Sequence, residues 1–328
     1  MAVAVAAALG VAATLAGCGS DAERVPPRCS DGGDRPHVTV HNAPELTAAL
    51  AAATPGQQIE VSDGAYVGQF VGAAQGTKDA PIRLCGGSGA RLDGGSKGYA
   101  LHLDHAAWWT VEGLTIAGGQ KSVVLDATQF SSLVNLKVSG SQQEAVHLRR
   151  GSSDNIVAEL HVSSTGRSDA KFGEGIYIGS AKSNWCELTN CQPDASDRNL
   201  ILDSTLGPGI TAELIDIKEG TRGGTVRGNS FDGTGQTAVD YWLDVKGNNW
   251  SISRNRGTHA PTDGFQVHRI LDGWGTGNTF TSNQLQVDAA GYGIKIAMSD
   301  PATSGNTVAC NNTATGAGRG LSNVPCTG

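Results

Sequence analysis

Two short segments carry the residues best suited to chemistry: Leu214-Ile-Asp-Ile-Lys218 and Trp242-Leu-Asp-Val-Lys246. In an extended strand each turns its apolar pair to one side and its Asp and Lys to the other. The two Asp residues are 28 positions apart, and similar text follows each copy: Thr225-Val-Arg-Gly-Asn229 and Ser251-Ile-Ser-Arg-Asn255. If the copies stack in register, Asp216 lies over Asp244 and Lys218 over Lys246. Like charges opposite one another destabilise a sheet, so the pairs need a purpose or a partner. Two adjacent carboxylates could share a divalent cation, for which calcium suits clustered oxygen ligands. A lysine held beside that cation would have a lowered pKa and could act as a base. Together these are the parts for β-elimination on a uronic acid, in which a cation neutralises the carboxylate and a lysine removes the C5 proton. The plainer alternative is two Asp–Lys ion pairs on a solvated sheet, which would contribute little.

A repeat of this period implies stacked coils. Eight segments fit one template of two apolar residues around one outward residue: Leu101–Asp104, Val123–Asp126, Val146–Arg149, Ile176–Gly179, Ile215–Lys218, Leu243–Lys246, Phe265–His268 and Ile294–Ala297. Their outward positions form two columns. One is His102, Val124, His147, Tyr177, Asp216, Asp244, Gln266, Lys295; the other is Asp104, Asp126, Arg149, Gly179, Lys218, Lys246, His268, Ala297. With coils about 4.8 Å apart, Arg149 to His268 spans roughly 20 Å, enough for several sugar units. On this face Lys218, Lys246, Asp216, Asp244 and His268 are the candidate catalytic groups, and Arg149, His147, Tyr177 and Gln266 the candidate substrate contacts. Trp242, placed just before them at an outward position, could stack on a sugar ring or pack beneath a loop. An insertion between Ser180 and Leu200 reads as one wall of a cleft. Asn229, Asn255, Asn283 and Asn311 recur at intervals of 26, 28 and 28, as an inward asparagine ladder would.

Ahead of the coils, Ala43–Ala53 is rich in helix formers and is stopped by Pro55-Gly56. That helix, followed by Pro55-Gly-Gln-Gln-Ile-Glu-Val-Ser-Asp-Gly-Ala-Tyr66 and Gly76-Thr-Lys-Asp-Ala-Pro-Ile-Arg-Leu-Cys85, resembles the amino-terminal cap and first coil of the pectate-lyase-like superfamily. The resemblance implies an all-β, single-stranded right-handed parallel β-helix over residues 37–328, with the helix closing its amino-terminal end. Glu213-Leu-Ile-Asp-Ile-Lys218 with Gly228-Asn229-Ser-Phe231 further resembles the chondroitinase B and alginate lyase family. That likeness implies Glu213 as a calcium ligand beside Asp216 and Asp244, and Lys218 as the Brønsted base. The arginine that assists in that family has no counterpart here, and Lys246 is the nearest candidate.

The chain of 328 residues has 46 glycines, few aromatics and only 17% charged residues, a profile of short strands and tight turns. A net charge of −7 argues against nucleic acid or an anionic membrane as partner and leaves a polysaccharide substrate open. Residues 2–16 are apolar and end in Leu15-Ala-Gly-Cys18, which resembles a bacterial lipoprotein signal, although no Lys or Arg precedes the apolar run. The organisation expected is a signal over 1–18, a tether over 19–36 and one solenoid domain, exported, monomeric and held to the membrane only through a lipid at Cys18. The six other cysteines suit disulfides, and closeness in sequence suggests Cys186–Cys191 and Cys310–Cys326, leaving Cys29–Cys85. Two other functions stay open. A glycoside hydrolase would use Asp216, Asp244, Asp240 or Asp263 as acid and base, with His147, His259 or His268 assisting. A non-catalytic surface carbohydrate binder would need only the groove and Trp242.

Overall fold

The computed structural model describes residues 27–31 and 35–328. The expected signal, Cys18 and most of the tether lie outside the described residues. Among the described residues all strand pairing is parallel, and it sorts the strands into three sheets of eleven, ten and nine strands, with successive coils adding a strand to each sheet. The result is an all-β parallel β-helix of about 10 turns. The eight template segments are successive strands of the nine-stranded sheet, and their register is the one expected.

The coils stack because equivalent inward positions carry apolar side chains in every turn. In the eleven-stranded sheet Val111, Leu133, Val157, Ile201, Val226, Ile252, Phe280 and Val308 lie one above another. All are shielded from solvent and belong to one continuous core. Each such side chain contributes about 1.5–3 kcal/mol on burial. The helix Ala43–Ala51 opens with Asn42 as its N-cap, whose side chain accepts from Glu45 N at 3.0 Å while Glu45 Oε2 accepts from His41 N at 2.7 Å. It buries Leu46, Ala49 and Leu50 against the first coils.

The asparagine ladder is present, with one correction at its end. Asn229 N donates to Asn255 Oδ1 at 2.9 Å and Asn255 N to Asn283 Oδ1 at 3.0 Å. The next rung is Asn312, whose Oδ1 accepts from Asn283 N at 2.9 Å, while Asn311 accepts from Ser282 N outside the core. The final coil is one residue longer at this corner, and repeat spacing alone could not choose between neighbouring asparagines. The three disulfides are Cys29–Cys85, Cys186–Cys191 and Cys310–Cys326, as closeness in sequence suggests.

Candidate active site

The strand Ile215–Ile217 buries both isoleucines and leaves Asp216 on the outer face, directly beside Tyr177 on one side and Asp244 on the other. Asp216 carries a lysine on each oxygen: Lys218 Nζ lies 2.6 Å from Oδ2, and Lys246 Nζ donates to Oδ1 at 2.7 Å. Lys246 also lies 2.8 Å from Asp244 Oδ2 and 4.0 Å from Glu213 Oε1. The repulsion expected of stacked aspartates is thus cancelled by an ammonium set between them. Asp244 completes its shell with His268 Nδ1 at 2.8 Å on Oδ1 and the Tyr241 hydroxyl at 3.2 Å on Oδ2. Lys218 Nζ sits 4.8 Å from the centre of the Tyr177 ring, within cation–π range.

These contacts fix the electrostatics. Burial alone would neutralise Lys246, yet Asp216, Asp244 and Glu213 outweigh it and hold the ammonium well above the usual lysine range. That corrects the expectation of a lowered pKa at Lys246: the neighbour that matters is carboxylate. Burial also opposes ionisation of Asp244, but Lys246 and His268 keep it below the usual carboxylate range. Burial pushes Tyr177 well up, with Asp216 and Glu174 adding to the effect, so its phenol keeps its proton.

Sequence reasoning named Glu213 and Asp263 singly but missed the third column to which they belong. Tyr99, Lys121, Glu144, Glu174, Glu213, Tyr241, Asp263 and Tyr292 each stand two residues before the first inward residue of a template strand. Extending the template by two positions would have found it. Lys121 pairs with Glu144, which His147 also approaches at 3.4 Å. Burial works against the Glu144 charge, but these partners bring its pKa down to about 2. Glu174 and Glu213 go the other way: burial, reinforced by neighbouring carboxylates, pushes Glu174 well up and Glu213 to about 7.

Several expected substrate contacts are turned elsewhere. Trp242 is fully buried in the core, edge-on to Phe265 with ring centroids 6.1 Å apart. Strand alternation places it outward, but within the strand Tyr241–Val245 its ring turns into the core. Gly257 and Gly264 leave the room its ring fills: a Cβ on Gly257 would meet that ring at 2.2 Å. His147 is buried, with Nε2 2.9 Å from Gly179 O, and Gln266 is buried donating to Asp263 Oδ2 at 2.7 Å. Arg149 lies along the same face, held by Asp126 at 2.6 and 3.1 Å and by the Tyr99 hydroxyl at 2.9 Å. Asp263 accepts from Tyr292 N and lies 3.2 Å from Lys295, whereas Asp240 and His259 are exposed. The insertion flanks the carboxyl ends of these strands. Within it Asp194 accepts from the backbone of Arg150 and Gly151 at 3.0 and 2.8 Å, and Lys182 N donates to Glu219 at 2.8 Å.

Among the described residues two groups could each offer a metal three ligand atoms: His102, Asp104 and Asp126, and Glu174, Glu213 and Asp216. Asp126 already carries the Arg149 guanidinium, and Asp216 has an ammonium on each oxygen. The set named for calcium, Glu213, Asp216 and Asp244, surrounds Lys246 Nζ itself. A divalent cation would have to share that position with an ammonium, so the residues present do not fit one.

A parallel β-helix with this lysine–carboxylate centre on its nine-stranded sheet belongs to the class of β-helix polysaccharide lyases. No protein-family model matches the sequence, and neither does any curated protein. Among solved structures, an alginate lyase from Paenibacillus sp. str. FPU-7 is 35% identical with a TM-score of 0.82, the match covering 89% of this chain and 99% of that one. The chain belongs to the family of that alginate lyase. The fold alone is shared with pectate lyase Pel9A (TM-score 0.66, 15% identity, 85% of this chain and 72% of that) and a rhamnogalacturonan lyase (0.60, 12%, 77% and 75%).

Proposed function

We propose that the chain cleaves alginate, or a closely related uronate polymer, by β-elimination with Lys218 as base. The observation that carries this reading is the placement of Lys218 Nζ between Asp216 and the Tyr177 ring. Lys218 Nζ takes the C5 proton of the uronate. The electron pair moves through the carboxyl-stabilised carbanion to form the C4–C5 double bond and expel the glycosidic oxygen at C4. Tyr177 holds its proton and stands beside the base, so it is the donor to that leaving oxygen. Lys246, locked by Asp216 and Asp244, is too strongly held as an ammonium to serve as base. Glu174 and Glu213 retain protons toward neutral pH and can donate a hydrogen bond to the substrate carboxylate, which ionised glutamates would repel.

The alginate assignment rests on the 35% identity to an alginate lyase. The hydrolase reading loses ground because Asp216 is paired with Lys218 and Lys246, and Asp244 with Lys246 and His268, so neither is left as a free acid. We read the coil as right-handed, as parallel strand connections nearly always are, with Ala43–Ala51 as its end cap. Export, a lipid at Cys18 and a monomeric state complete the proposal, on the strength of Leu15-Ala-Gly-Cys18 and the six paired cysteines. Ultraviolet absorbance of unsaturated uronate ends, followed on alginate, polymannuronate, polyguluronate and pectate, is the test. A rise on alginate or its blocks supports the reading. New reducing ends without absorbance make the chain a hydrolase, and neither signal makes it a binding protein.

A further inference from the structure

We propose that the ammonium of Lys246 is a built-in replacement for a divalent cation, so that the centre needs no metal and accepts Ca2+ only once that ammonium is removed. Glu213, Asp216 and Asp244 come from two adjacent coils and converge on one point, which the Lys246 side chain fills at 4.0, 2.7 and 2.8 Å while only 9% exposed. Three carboxylates around one buried position form the oxygen-rich cage that calcium favours. Lys246, two residues after Asp244 on the same outer face, supplies a single positive charge at that point without any bound ion. The remaining oxygens of the two aspartates are also engaged, Asp216 with Lys218 and Asp244 with His268. Asp216 is therefore fixed from both sides, and it in turn holds Lys218 over Tyr177. Lys246 acts through Asp216 and is a positioning residue.

A fourth oxygen stands ready. Glu174 Oε2 is buried without a hydrogen-bond partner, and the Glu174, Glu213 and Asp216 ligand atoms lie within 4.8 Å of one another. Shortening Lys246 to alanine would leave these carboxylates around an empty space one positive charge short, an unfavourable arrangement that a small hard cation relieves. Methionine at the same position would instead fill the space with a neutral chain and exclude the ion.

The test is calcium binding by calorimetry together with thermal unfolding, on chelator-treated wild type, Lys246→Ala, Lys246→Met and the double variant Lys246→Ala/Asp244→Asn. Expected is a calcium site in Lys246→Ala that raises its melting temperature and is absent from the wild type, from Lys246→Met and from the double variant. Wild-type turnover should be unchanged by chelation. The proposal is overturned if the wild type binds Ca2+ in a way that Asp244→Asn abolishes. It is equally overturned if Lys246→Ala gains no calcium-dependent stability, including the case where it stays unfolded with and without the ion. The proposal deepens the lyase reading, but its binding readout requires no substrate, so failure of that reading would leave the calorimetry unaffected.

Discussion

Lys218 and Tyr177 occupy neighbouring coils and meet as a pair, the ammonium 4.8 Å from the centre of the phenol ring. The ring that orients the lysine belongs to a phenol that keeps its proton. Tyr177→Phe keeps the ring, and with it a cation–π contact of about 0.5–2 kcal/mol, while removing only the proton donor. The expected result is a fall in kcat of roughly 10²–10⁴-fold with KM within a few-fold and an unchanged melting temperature. Retention of kcat would mean that another group protonates the leaving oxygen.

Base and charge can be separated at Lys218. Lys218→Arg preserves the positive partner of Asp216 but brings a guanidinium that stays protonated. Its turnover should be as low as that of Lys218→Ala, in the background range of the ultraviolet assay, with its fold retained by circular dichroism. Asp216→Asn differs from both, because it deprives two lysines of their shared anion. Loss of one partner from a buried pair costs about 3–5 kcal/mol, so that variant should lose stability as well as activity.

The sequence made the solenoid legible because its signal is repeated eight times: two inward apolar residues around one outward residue need no knowledge of long-range contacts. Register followed, since a slip of one residue would turn every isoleucine and leucine outward. The site was only partly legible. Asp216, Asp244, Lys218 and Lys246 were recognisable from stacking alone, but which lysine bridges the aspartates depends on side-chain reach across a coil. The third column, with Glu144 and Glu174, was missed because the template stopped two residues short. His147 and Gln266 sit at outward positions, yet neighbouring loops and coils cover them, and no spacing rule reports such cover.

The pH dependence of stability follows from the directions of the shifts. Glu213, raised from 4.5 to about 7, keeps in the folded state a proton that the unfolded chain releases. Its contribution is therefore present below about 4.5 and is lost as pH rises toward about 7; Glu174 acts in the same direction. Asp126, Glu144 and Asp244 are buried yet held low by cationic partners, so their contributions are present above the ordinary carboxylate range and disappear as pH falls. The melting temperature should peak on the acid side of neutrality. Glu213→Gln should flatten the decline between pH 5 and 8 by roughly the part this one group supplies. An unaltered profile in that variant would show that Glu213 is ionised throughout.

Trp242 offers the clearest distinction between a structural and a substrate-binding role. Its ring fills space left by Gly257 and Gly264 and packs edge-on to Phe265, with no exposed surface for a sugar. Trp242→Ala opens a large cavity beneath the nine-stranded sheet, at a cost of about 3–5 kcal/mol. The loss should appear in the denaturant midpoint, while KM measured below the melting transition changes little. Trp242→Phe, which restores most of the apolar volume, should recover much of the stability. A sugar-stacking Trp242 would give the opposite result, with a raised KM for the alanine variant and an unfolding midpoint near that of the parent chain.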